Sequence, residues 1–235
     1  MKSVIIAGLM TVFLLAAGAP TGWAGEVAFT CEDYSDRFDL LDIRRWQEVL
    51  LYSDVQGEVA VEDGRLVLRA HPVAPSEIQV YSLFTFQGDF DIQIDYKVLH
   101  KGRKDRCRFN AGLILQTAAD EISYKCYVSK RPNKPLAYTS RVDRFGEDNQ
   151  ERKKGSKAPD LNRIRVVRKN GKIFYYAFSE EGWQMQSAFE QPVRENLRIR
   201  LKLQTSGDSE TTGGCPAIVA FDNFRVNACT TILDD

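Results

Sequence analysis

Two stretches of this sequence set side chains that can handle a sugar or a proton at strand-like spacing. Asp91, Gln93 and Asp95 alternate with Phe90, Ile92 and Ile94, so the polar residues share one face of a strand whose other face is apolar. At about 3.3 Å per residue the two aspartates sit about 13 Å apart at Cα. Their short arms cannot meet on one bond, and the stretch reads as the solvated side of an antiparallel strand. The second stretch is Glu121, Ile122, Ser123, Tyr124, Lys125, with Tyr127 close behind. Aromatic rings stack on sugars, and Tyr124, Tyr127, Tyr138, Tyr175, Tyr176 and Trp183 are the candidate rings. Tyr175 and Tyr176 fall on opposite faces of Ile173 to Phe178, so at least one aromatic set belongs to a core. Trp183 follows a Glu-Gly turn, where it either meets a ligand or caps a hydrophobic core.

Basic residues crowd two runs, Lys97 to Arg108 and Arg152 to Lys172. Together they offer a patch for an anionic polysaccharide or a lipid head group, against the plainer reading of solvated loops. Nucleic acid does not suit a chain with 32 basic and 32 acidic residues and no recognisable nucleic-acid module. No Cys-x-x-Cys pair exists, and His71 and His100 stand far apart, so these residues imply no metal site.

The elements that must position these residues are strands. Period-two alternation marks Gly57 to Arg69 and Phe90 to Val98, and further strands are predicted over Glu77 to Phe86, Ala111 to Gln116, Ile122 to Ser129 and Leu197 to Gln204. Asp63-Gly64 and Asn170-Gly171 are hairpin signals between such runs. Phe29 to Tyr34 and Ile218 to Val226 also read as strands, which we expect to lie side by side and close the domain. Arg144 to Asp160 is polar and charged, and is expected to be a long loop. The pattern is all-β, a two-sheet antiparallel jelly-roll sandwich.

Lys2, the apolar run Val4 to Ala17 and the small-spacer-small trio Gly22, Trp23, Ala24 form a signal peptide, with cleavage expected after Ala24. The apolar run is shorter than the roughly 20 residues that span a bilayer, so no membrane span is expected. Residues 25–235 then form a single domain, in the size range of roughly 200–250 residues that one sandwich uses. The mature chain is expected to be secreted or periplasmic, where disulfides form. Five cysteines leave at least one unpaired. If the chain ends pair, Cys31 with Cys229 is a natural bridge. Cys107 with Cys126 would staple neighbouring strands, leaving Cys215 free.

Asp42 to Trp46, Val59 to Leu68, Gly88 to Tyr96, Arg163 to Trp183 and Phe221 to Val226 together resemble the concanavalin A-like, laminin-G-like lectin and glucanase superfamily. The resemblance covers nearly the whole mature chain through core and turn positions, so it speaks to fold more than to function. Retaining glucanases of that superfamily carry a Glu-Ile-Asp-x-Glu strand, and retention needs two carboxyl groups about 5 to 5.5 Å apart. By order of elements the matching positions here are Glu121 to Lys125. Glu121 is present, while Ser123 and Lys125 stand where the assisting aspartate and the acid/base would be, so the resemblance implies no catalytic pair. If the protein is nevertheless an enzyme, Glu121 is the expected catalytic member.

The resemblance further implies a glycan-binding face bordered by Glu121, Tyr124 and Tyr127, with Trp183 as a fourth candidate contact. No cofactor is required. A structural calcium ion is implied at Asp222, with Asp33 its neighbour, although Asp222 can equally fix the turn beside Asn223. The reading that follows is an exported, non-catalytic β-sandwich binding a polysaccharide or another envelope component. The alternatives are a glycoside hydrolase or lyase of the same fold, and an envelope assembly protein with no small ligand.

Overall fold

A computed structural model describes residues 30–51, 57–71, 75–102, 107–117, 119, 121–146, 151–190, 195–206 and 215–234. The expected signal segment and the basic residues Arg103, Lys104 and Arg106 lie outside the described residues. After a 3-10 turn at Cys31–Tyr34, the strands are β1 (Trp46–Leu51), β2 (Gly57–Glu62), β3 (Arg65–Ala70), β4 (Glu77–His100), β5 (Arg108–Thr117), β6 (Ile122–Lys130), β7 (Ala137–Arg144), β8 (Glu151–Lys157), β9 (Leu161–Lys169), β10 (Lys172–Ser179), β11 (Gly182–Glu190), β12 (Leu197–Ser206) and β13 (Ala217–Asp234).

All the strand pairs are antiparallel, and the long strand β4 belongs to two layers. Its first half sits between β1 and β12, and the ladder continues through β5, β6 and β7 to β8; we call this sheet A. Its second half sits between β13 and β9, with β3 and β2 beyond one side and β10 and β11 beyond the other; this is sheet B. The stretches Glu77 to Phe86 and Phe90 to Val98 are therefore one strand. Gly88 marks the passage between layers at φ 76°, a conformation that glycine adopts without steric penalty.

Alternation sends one side of each sheet into a shared core. From sheet A come Val80, Phe109, Leu113, Tyr124, Cys126, Tyr138 and Leu201; from sheet B come Leu68, Ile92, Ile94, Val166, Tyr175 and Phe221, all buried in one cluster. The layers meet through the Tyr138 and Tyr175 rings, 6.2 Å apart edge to face, and through Ser140 Oγ donating to Ser187 Oγ at 2.6 Å. Both hairpin signals form tight turns: Asp63 and Gly64 have φ of 49° and 67°, Asn170 and Gly171 of 52° and 72°. Positive φ at both central residues matches the right-handed twist of the flanking strands.

Three expectations are corrected. Cys31–Tyr34 is a 3-10 turn rather than a strand, and the ends meet instead through the Asp36–Phe224 bridge and the Cys31–Cys229 disulfide. Trp46 completes that closure, packing against Phe38, Phe84 and Phe224 while its indole N–H donates to Asp36 at 2.9 Å. The stretch expected as a long loop contains β8, whose charged residues give no apolar alternation because it is an edge strand, where charge blocks further pairing. The second disulfide joins Cys107 to Cys215, and Cys126 is the buried free thiol. The hairpin register explains this. Phe109 faces Lys130, so Cys107 lies beyond the far end of β6, while Cys126 faces Leu113 inside the core.

Candidate functional site

The outer face of sheet A is built from residues that alternate with the core set. Following register from β4 to β8, one row reads Gln79, Lys202, Gly112, Tyr127, Thr139 and Lys154. The neighbouring row reads Tyr81, Arg200, Ile114, Lys125, Arg141 and Arg152. Cations dominate this face, and among the described residues its two strand carboxylates are each already held. Lys202 Nζ lies 2.5 Å from Glu77, to which Gln79 also donates at 2.7 Å. Asp143 takes Lys125 at 2.5 Å and also pairs with Arg141. Burial pushes the Lys202 ammonium down to about 8, against the opposing pull of Glu77.

Tyr127 is at the centre of the first row. Its partner in register is Gly112, where an added Cβ would lie 2.2 Å from the Cys126 carbonyl oxygen. A residue without a side chain is thus required beside Tyr127. Tyr127 is 5 % exposed, and its hydroxyl has no hydrogen-bond partner among the described residues. Burial, followed by the Glu77 and Asp143 carboxylates, raises its pKa well above the usual phenol value, so the group is a neutral O–H.

At the β6–β8 end the face opens into a cavity of about 180 Å³ lined by Ser129, Arg131, Lys134, Pro135, Ala137, Thr139, Arg152 and Lys154. Burial and then the neighbouring guanidiniums of Arg131, Arg141 and Arg108 push the Arg152 pKa down.

The structure separates the residues singled out from sequence. Tyr124 points into the core and is 1 % exposed; burial pushes its hydroxyl up to about 12. Glu121 is exposed just ahead of β6, its carbonyl accepting from the Phe145 amide at 2.7 Å. Of the glycan-face candidates, Tyr127 alone lies on a floor of sheet A. Trp183 is on the other layer, opposite Phe178 in register, 5.3 Å from it ring to ring, with the Arg165 guanidinium 5.6 Å from the indole centre. The Asp91 and Asp95 carboxylates pair with Arg165 and Arg163 on the outer face of sheet B, so the second basic run is split between the two outer faces.

Asp33 accepts from the Thr30 amide and hydroxyl at 2.6 and 3.0 Å, and Asp222 accepts from the Asn223 amide at 2.6 Å and pairs with Arg65 at 3.7 Å. No group of three or more His, Cys, Asp or Glu side chains able to hold a metal occurs among the described residues. Sequence reasoning missed Lys202, Arg200 and Arg198. Their signal was the alternation of Arg198, Arg200 and Lys202 with Leu197, Ile199, Leu201 and Leu203, a strand with one apolar and one cationic face.

Similarity to solved structures settles the architecture. A glycoside hydrolase family 16 protein of a Bacteroides ovatus mixed-linkage glucan locus, in complex with a product, superposes with TM-score 0.61 at 11% identity, over 82% of this chain and 98% of that one. The Bacillus licheniformis β-glucanase gives 0.56 at 12%, over 83% and 97%. The chain has the concanavalin A-like jelly-roll fold. An immunostimulatory antigen and pseudo β-1,3-glucanase of Mycobacterium tuberculosis is similar at TM-score 0.55 and 15% identity, over 84% and 97%. No protein-family model and no curated protein sequence matches the chain. These identities establish a shared fold and leave activity to the site itself.

Proposed function

We propose that this protein is an exported carbohydrate-binding sandwich that holds a glycan on the outer face of sheet A and does not cleave it by the two-carboxylate retaining mechanism. The observation that carries the reading is the Tyr127 hydroxyl: buried at the floor of a polar face, beside an obligatory glycine, with no partner among the described residues. Leaving such a group unsatisfied costs about 1–3 kcal/mol. A sugar hydroxyl that displaces the side chains covering Tyr127 would supply the missing acceptor. The similar structures named for action on glucans, and one named a pseudo-glucanase, favour a carbohydrate for this face.

Among the described residues, the two carboxylates on the strands of this face argue against hydrolysis. Glu77 and Asp143 stand on β4 and β7, four strand spacings apart, about 19 Å at 4.8 Å each, and each is held by its own cations. Glycosidase pairs lie about 5 to 9.5 Å apart. Two disulfides suit an oxidising compartment, in line with the signal segment read from residues 1–24.

A glycan-array screen followed by calorimetry of the best hit tests the reading with Tyr127→Phe. Because the hydroxyl has no partner in the free protein, the variant should fold as stably as the wild type while binding about tenfold more weakly, the equivalent of about 1.4 kcal/mol. A screen in which no neutral or acidic saccharide binds would overturn the reading.

A further inference from the structure

The cavity at the β6–β8 end of sheet A has an unusual charge balance. Arg131, Lys134, Arg152 and Lys154 line it together with small neutral residues. None of the four pairs with a carboxylate among the described residues, whereas Lys125, Arg141 and Lys202 on the same face all do. The described carboxylates of β7 and β8 are committed elsewhere: Asp143 to Lys125 and Arg141, Glu151 to Lys153. The lowered Arg152 pKa reports the same imbalance, since after burial its causes are the guanidiniums around it. All four are exposed, so water screens their repulsion, and together they concentrate a positive potential at the cavity that an anion would complete.

We propose that this cavity is an anion subsite, so that the saccharide held on sheet A is acidic, with a carboxylate or sulfate group seated among Arg131, Lys134, Arg152 and Lys154. The proposal rests on the carbohydrate reading of the face given above and names the class of glycan. Size supports a substituent rather than a whole ligand, since about 180 Å³ is below the roughly 300–1,000 Å³ of pockets that enclose drug-sized molecules. The rest of the chain would lie outside the cavity. The row from Tyr81 through Arg200 and Lys125 to Arg152 crosses five strand spacings, about 24 Å, the length of a short oligosaccharide. Guanidinium groups suit this task because their planar donor fork matches carboxylate and sulfate oxygens two at a time. A polyanion spread along such a row would be held by charge, and its binding would weaken as salt screens the contacts.

Calorimetric titrations of the full mature chain with oligogalacturonate (carboxylate), a sulfated dextran (sulfate) and a neutral mixed-linkage glucan, each across a salt series, provide the test. The variants are Arg152→Ala with Lys154→Ala, and Tyr127→Phe. Arg152 and Lys154 are exposed on the edge strand, so their replacement leaves the core intact. The expected result is binding of one or both acidic glycans, weakening with salt and lost tenfold or more in the double variant. The acid that binds tells carboxylate from sulfate. Neutral glucan binding as tightly as either acid, with the double variant unaffected, would overturn the acidic assignment and leave the carbohydrate reading standing. Binding to phosphatidylglycerol vesicles with no response to any of the three glycans would overturn both.

Discussion

At the scale of single residues the account turns on Tyr127 and Lys202, neighbours across Gly112 on one face. Tyr127→Phe is expected to leave the unfolding free energy unchanged or raise it by up to about 1 kcal/mol, since it removes a buried hydroxyl that has no partner. Denaturant titration checks this, and a loss of stability would mean that the hydroxyl is bonded in the free protein. Lys202 sets a pH dependence. Its folded pKa of about 8 lies below the ordinary 10.5, so between these values the unfolded chain binds more protons and the site's contribution to stability rises with pH. Below pH 8 the desolvated charge counts against folding. The stability difference between wild type and Lys202→Met should therefore shift in favour of the wild type from pH 8 to 10.5, and a flat difference would contradict the assignment. Tyr127 was legible in the sequence as a candidate, but the resemblance put Tyr124 on the same face, against strand alternation: three residues apart on a strand, the two must face opposite ways. The missing hydroxyl partner was not legible, because it depends on what four neighbouring strands place around the ring.

At the scale of elements, β5, β6 and β12 form the floor and their register decides what can lie on it. Gly112→Ala pushes a methyl group against the Cys126 carbonyl, and is expected to destabilise the domain by about 1–3 kcal/mol and weaken saccharide binding. Thermal unfolding and calorimetry together check this; an unperturbed variant would show that β5 and β6 are spaced differently. Most strands were visible from alternation, because sandwich strands bury one face. Two element features were not. The long β4 reads as two strands because Gly88 breaks the local pattern where the chain changes layers. Edge strand β8 reads as a loop because its residues answer to solvent and to an unpaired edge rather than to a core. That misreading left Arg152 and Lys154, already counted in the second basic run, without a place on sheet A.

At the scale of the whole molecule, a chain with no net charge sorts its charges by surface. Sheet B pairs Asp91 and Asp95 with Arg165 and Arg163, while sheet A keeps cations in excess at the β6–β8 end. Composition cannot show that sorting; topology makes it. The disulfides lock the same topology. Cys107–Cys215 spans 108 residues, and closing a loop of about 100 residues is worth about 4.7 kcal/mol in the chain-entropy model, so Cys107→Ser with Cys215→Ser should lose several kcal/mol in denaturant titrations. Peptide mapping without reduction should recover Cys31–Cys229 and Cys107–Cys215 links, with Cys126 labelled by thiol reagents only after unfolding. The pairing of the chain ends was readable because both lie beside the closing strand. The second bridge was not, since it depends on β5 and β13 beginning close together. Hydrogen exchange with and without a saturating acidic glycan reads out whether the outer face of sheet A holds a saccharide. Added protection is expected in β5, β6, β7, β8 and β12, with β10 and β11 unchanged. Protection confined to β9, β10 and β11 around Trp183 would contradict it.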